Sequence, residues 1–237
     1  MSEHKGSLEE KISARLRPAS AVRQALARVA GSPRIEAGSP RIEAADLLNL
    51  ALDPDEPMEF RLDAVTILLA MERPDEEGLR KLLACGDRTV FIEALKSIKS
   101  FGVSWALRDL IVAANTTKEA DRRAVLAWAL AAYRDSVDAQ KTLLDLATND
   151  SSSLVREHAT ESLGEFRSNS VSKTLLHILA VGSSAERFWA LFSLGNLADP
   201  SAADAVRGCL EDQTAVPGLG TISEEAEWAL GKILAGG

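Results

Sequence analysis

The 237-residue chain is poor in the residues from which metal, thiol and disulfide chemistry is built. It holds two cysteines, three histidines and one tyrosine, and aromatics make up only 5% of it. Two cysteines make neither a disulfide scaffold nor a zinc cluster, and they fit a reducing cytoplasm, which is the expected compartment. The longest clean apolar run, Ala124 to Tyr133, is ten residues, about half of the ~20 that a membrane-spanning helix needs. The first residues, Met-Ser-Glu-His-Lys-Gly, put charge before any apolar segment, so no signal peptide is expected. No stretch keeps a period of two with β-branched residues, and no strand or sheet is expected. Basic excess is missing too. The 27 Lys and Arg stand against 35 Asp and Glu, a net charge of −8, which opposes nonspecific binding to nucleic acid.

What is present is apolar and periodic. Hydrophobic residues are 46% of the chain, too many for a disordered segment. Leu-rich stretches recur, and the markers Leu48, Leu83, Ile111, Leu144, Leu176 and Leu210 are 35, 28, 33, 32 and 34 residues apart. Self-similarity at that period is the signature of a repeat array. A second helix follows each Leu-rich one. Its clearest copies are Val155-Arg156-x-x-Ala159-x-x-x-Leu163-Gly164-x-Phe166 and Arg187-x-x-Ala190-x-x-x-Leu194-Gly195-x-Leu197. Weaker copies run through Arg123 and Leu130, Phe91 and Ala94, Arg61 and Ala64, and Ala226 and Leu230. Small and large residues at i, i+4 and i+7 form one apolar stripe against the preceding helix.

Prolines fall in turns or near helix starts, and Ser7-x-x-Glu10 and Thr221-x-x-Glu224 read as capping boxes. Ser104, Ser170 and Ser201 are expected to begin first helices, and Asp87, Asp121 and Ser184 to precede second ones. The spacing predicts six helix pairs over residues 44–237, preceded by an N-terminal pair at about 7–30 and a linker. In that linker Gly31-Ser-Pro-Arg-Ile-Glu-Ala37 is duplicated without change as residues 38–44. A loop absorbs such an insertion at little entropic cost, so deletion of one copy should be tolerated.

The motif Arg-x-x-Ala-x-x-x-Leu-Gly, recurring at 31 residues, resembles the HEAT-like repeats of the phycobilin-lyase type over about residues 44–235. The resemblance implies an all-α fold: a right-handed α-solenoid of stacked antiparallel helix pairs, with second helices lining its concave side. It also implies a second functional reading, a lyase or lyase subunit that holds a tetrapyrrole. A third, the HEAT-like DNA glycosylases, needs a basic concave surface. Residues 42–237 carry a net charge of −12, and residues 1–41 one of +4.

Catalytic chemistry finds few candidates. His4 sits near the start, while His158 and His177 have no second His or Cys three or four residues on, as a metal face needs. Glu157 and His158 are adjacent on a helix and point apart. Cys85 and Cys209 belong to pairs four steps apart, beyond disulfide reach, and both should be free thiols. Gly218-Leu-Gly220 lacks the strand and the Lys-Ser/Thr ending of a phosphate loop. Arg61, Arg123, Arg156 and Arg187 share one register, and each is expected to reach an aspartate of the preceding turn, with Asp53, Asp121 and Asp150 as candidates. No catalytic residue, metal or cofactor is therefore expected.

The outward face of the second helices says more. With Ala159 toward the core, Glu157 and Glu161 lie about 160° and 200° away. The same register holds Leu62, Thr66, Ile92, Lys96, Ala124, Trp128, Phe188, Phe192, Glu224 and Trp228. Either neighbouring repeats cover its large apolar members or they form a groove. The candidate partner-binding residues are Trp128, Glu157, Glu161, Phe188, Phe192 and Trp228. They point to a non-enzymatic scaffold whose ligand is a basic, hydrophobic protein segment or peptide.

Overall fold

The structure, a computed structural model, describes residues 44–71 and 76–236. The N-terminal pair expected at about 7–30, the Ser7 capping box and the duplicated heptads up to residue 43 lie outside the described residues. Helices follow one another in pairs: α1 (Ala44–Leu52) with α2 (Met58–Ala70), α3 (Glu76–Ala84) with α4 (Arg88–Phe101), and α5 (Leu107–Thr116) with α6 (Ala120–Leu130). Next come α7 (Val137–Asn149) with α8 (Ser153–Leu163), α9 (Asn169–Val181) with α10 (Ser184–Leu197), and α11 (Ala203–Arg207) with α12 (Ile222–Gly236). The chain divides into two compact units, one reaching Asp109 and the other beginning at Leu110. In the first, α2 packs on α4; in the second, α6, α8, α10 and α12 pack in that order, each on the next.

The expectation of no strand is corrected at one place. Ala215–Val216 and Gly220–Thr221 form a two-residue antiparallel ladder, with Ala215 opposite Thr221. The Leu219 N–H donates to the Val216 carbonyl at 3.0 Å, and Gly218 has φ of 79°. Proline at the second and glycine at the third position is the chemistry of a type II turn. So the Gly218-Leu-Gly220 stretch serves a hairpin. Periodicity misses it because two residues per strand leave no alternation to see.

Helix starts follow local hydrogen-bond chemistry. Asp87 caps α4 by accepting from the Thr89 and Val90 N–H groups. Thr221 and Glu224 form the expected box, at 2.8 and 3.2 Å. Three caps differ from expectation by one to two residues. Ser168 rather than Ser170 caps α9, Ser183 rather than Ser184 makes a capping box with Glu186, and Glu119 rather than Asp121 precedes α6. Before α11, Asp199 caps the 3₁₀ turn that contains Ser201. In each run several hydroxyl or carboxylate residues are adjacent, and composition alone does not choose among them.

The repeat motif has a direct packing meaning. Ala159, Ala190 and Ala226 are wholly buried, as are Leu163 and Leu194. A Cβ on Gly164 would stand 3.0 Å from the Ser193 hydroxyl, and one on Gly195 would stand 2.6 Å from the Trp228 ring. The glycine of Leu-Gly therefore lets the next second helix approach its backbone. Ser193 uses that proximity, donating to the Thr160 carbonyl of α8 at 2.8 Å.

The shared arginines form a ladder, in the direction opposite to the expected one. Each reaches back to a carbonyl of the preceding turn or helix end, and forward to a carboxylate 25 to 30 residues later. Arg61 pairs with Asp87 at 2.9 Å, Arg156 with Glu186 at 2.6 Å, and Arg187 with Asp212 at 2.5 Å. Arg123 clasps both oxygens of Asp150 at 2.8 and 2.9 Å. Asp53 and Asp121 are not the partners, and Asp150 offers its carboxylate to Arg123 and only its carbonyl to Arg156. The reason is reach: an arginine in the first turn is long enough to span to the next repeat. Phe91, fully buried, takes this register in α4. Cys85 and Cys209 are free thiols.

Candidate functional site

The second unit brings together every residue of the candidate face. Trp128 projects from α6, Glu157 and Glu161 from α8, Phe188 and Phe192 from α10, and Trp228 from α12. Their helices are consecutive neighbours, so the residues line successive strips of one surface. Trp128, Glu157, Glu161 and Phe192 are half-buried, Trp228 is 37% exposed, and Phe188 is buried at 7%. Phe188 is therefore corrected to a core residue: α10 packs between α8 and α12, which leaves this ring no open surface for a partner.

The aromatic rings are coupled. Phe192 stacks on Trp228 with centroids 5.4 Å apart and planes 9° from parallel. Trp189 meets Phe192 edge-on at 5.6 Å and Phe188 edge-on at 5.7 Å. The Lys232 ammonium lies 5.7 Å from the Trp228 ring centre, within the range of a cation–π contact. Trp189 escapes the sequence reading because its helical angle lies about 100° from Phe188, outside the transferred register. Adjacency to two phenylalanines was the available signal.

The helices that carry the rings and their neighbour α8 also carry carboxylates. Burial first, and the neighbouring Glu186 carboxylate second, push the Glu157 carboxyl above its ordinary value. Glu186 moves the other way: burial would raise it, but the Ser183 N–H and Arg156 outweigh burial and hold it low. His158 meets Glu161 at 3.4 Å one turn on, rather than its neighbour Glu157. On α12 burial lifts Glu225 to about 7, and its Oε1 has no hydrogen-bond partner among the described residues. No cluster of three or more His, Cys, Asp or Glu able to hold a metal occurs among the described residues. No helix of the described residues is long and apolar enough to cross a membrane.

Two clefts sit where the second helices end. One, of about 380 Å³, is lined by Arg134, Asp135, Gly164, Glu165, Arg167 and Asn196. The other, about 390 Å³, shares Arg167 and adds Ser168, Asn169 and Ser172 with residues 197–201. The sequence singles out Gly164, Leu197 and Ser201 only as packing and helix-start residues and none of the lining as a site, because turn residues carry no periodic signal.

A family model of HEAT repeats matches residues 76–164, 107–195 and 141–217. No curated protein matches the chain. Among solved structures it is similar to an engineered protein at 21% identity, covering 91% of this chain and 97% of that one, with a TM-score of 0.51. It is also similar to human deoxyhypusine hydroxylase in complex with glycerol, at 16% identity, 98% and 82% coverage and a TM-score of 0.45. The complex of CpcE and CpcF of phycocyanin lyase from Nostoc sp. PCC7120 matches at 18% identity, 98% and 97% coverage and a TM-score of 0.41.

Proposed function

The chain belongs to the HEAT-repeat family, and from that premise we propose that its second-helix face binds a basic, amphipathic protein segment or peptide. The observation that carries this reading is the Phe192–Trp228 stack on α10 and α12, left partly open to solvent, with the half-buried carboxylates Glu157 and Glu161 on α8 packed next to α10. Aromatic rings supply large contact area at small entropic cost. Carboxylates held partly out of water gain when a cation replaces the water they have lost. The same carboxylates repel a phosphate backbone, so nucleic acid is disfavoured as the partner. Repeat arrays present extended surfaces of this kind as recognition platforms.

The test is a binding titration with two fluorescent synthetic helices of equal length, one built of Lys and Leu and the other of Glu and Leu. The basic helix should bind and the acidic one should not. Phe192→Ala or Trp228→Ala should weaken binding by about 2 kcal/mol, roughly thirtyfold, if these rings are the hot spot. Equal binding of both helices, or no loss in either variant, rejects the assignment.

A further inference from the structure

The arginines of this protein fall into two sets. Arg61, Arg123, Arg156 and Arg187, at second-helix starts, each hold a carboxylate at 2.5 to 2.9 Å. Arg134 and Arg167 also share a register: they are 33 residues apart, each following an aromatic residue, Tyr133 or Phe166, three positions past the end of a second helix. Both are exposed, and neither has a hydrogen bond or ion pair among the described residues. They nevertheless line one cleft, of about 380 Å³, together with the Asn196 side chain. Two unpaired guanidiniums in one cleft stand out in a region whose net charge is −12.

We propose that this cleft, formed by the turns after α6 and α8 and the last turn of α10, is a carboxylate-binding site that takes an acidic side chain of a peptide between Arg134 and Arg167. A guanidinium presents two parallel N–H groups that match a carboxylate. The Asn196 amide adds a further donor from the adjacent turn. The acidic side chains of the cleft decide between anions. Asp135 and Glu165 line the same cleft, so the four charged side chains sum to zero. A monoanion leaves the filled cleft at −1 and a phosphate dianion at −2, so the carboxylate is the better match.

The cleft continues the candidate face. Asn196 lies one helical turn after Phe192 on α10, and Glu165 sits in the turn just past the end of α8, the helix that carries Glu161. The proposal rests on the peptide-binding reading only for the identity of the molecule that carries the carboxylate. A peptide whose basic, apolar stretch covers the rings would place an acidic residue beyond it.

The experiment follows the arginine Nε–H signals of the ¹⁵N-labelled full chain at constant ionic strength. The probes are acetyl-Gly-Glu-Gly-amide, the matching Gln peptide and inorganic phosphate. The Glu peptide should move the Arg134 and Arg167 signals along a saturating curve, the Gln peptide should not, and phosphate should bind more weakly. Arg134→Gln and Arg167→Gln should each weaken the Glu peptide at least threefold, with unchanged helical circular dichroism because both side chains are exposed. Shifts that fail to saturate, or equal shifts with the Gln peptide, overturn the site. Tighter binding of phosphate overturns the carboxylate assignment. None of these probes covers the aromatic stack, so a failure here is separate from a failure of the basic-helix titration.

Discussion

Single residues decide how closely the second helices pack. Gly195 has the Trp228 ring and the Ala229 Cα within 2.6 and 2.9 Å of where a Cβ would lie, whereas Gly231, at the matching position of α12, has nothing within 4 Å. Gly195→Ala should therefore destabilise the fold by about 1–3 kcal/mol through overpacking. Gly231→Ala should stabilise it by up to about 1 kcal/mol through helix propensity. Denaturant unfolding of both variants checks the contrast. Glu225 sets a pH dependence. Its carboxyl is raised by burial from 4.5 to about 7, so folding favours the neutral form. That contribution is present below the ordinary value and is lost as pH rises through 7. Glu225→Gln should consequently match the parent at pH 5 and exceed it at pH 8. The gain is about 1–2 kcal/mol, reduced from the full linkage value because the group is only half-buried. Melting curves at the two pH values read this directly.

At the scale of helices, the arginine ladder joins one pair to the next. Arg123 and Asp150 are the most enclosed of its pairs, with side chains 13% and 7% exposed, against 24% each for Arg187 and Asp212. Arg123 also donates to the Thr117 and Lys118 carbonyls, closing the end of α5. Arg123→Ala strands a nearly buried carboxylate and two carbonyls, and should cost about 2–4 kcal/mol. Arg187→Ala should cost about 1 kcal/mol, because water reaches both partners. The Arg123 hydrogen bond holds the Asp150 carboxyl below its ordinary range. Its stabilisation is full above that range and disappears as pH falls through the depressed value, so acid should narrow the difference between Arg123→Ala and the parent.

The ladder also marks how far the sequence could be read. The common register of the four arginines is visible in the motif, and so is their role as links between repeats. Their partners are not, because the choice between a preceding and a following turn depends on how far α8 stands from α6. Helix type and order were legible for the same reason as the motif: Ala159, Leu163 and Gly164 recur at a period that only stacked helices satisfy. The hairpin at residues 215–221 was not, since a turn made by Pro217 and Gly218 imposes no pattern beyond itself. On the candidate face, periodicity identified Trp128, Phe192 and Trp228. It did not identify Trp189, whose edge-on contacts arise from local ring geometry.

For the molecule as a whole, the proposed function requires charge and aromatic surface to act on the same ligand. The chain has four tryptophans, and their distribution supplies an internal control. Trp105 belongs to the first unit, while Trp128, Trp189 and Trp228 belong to the second and surround the candidate face. The most direct measurement is therefore the four indole N–H signals of the ¹⁵N-labelled protein, followed as the synthetic Lys/Leu helix is added. Trp228 and Trp128 should show saturating shifts, with Trp189 moving through its contact with Phe192, while Trp105 stays in place. Four stationary signals, or a response in which Trp105 moves as far as Trp228, would contradict the proposed function.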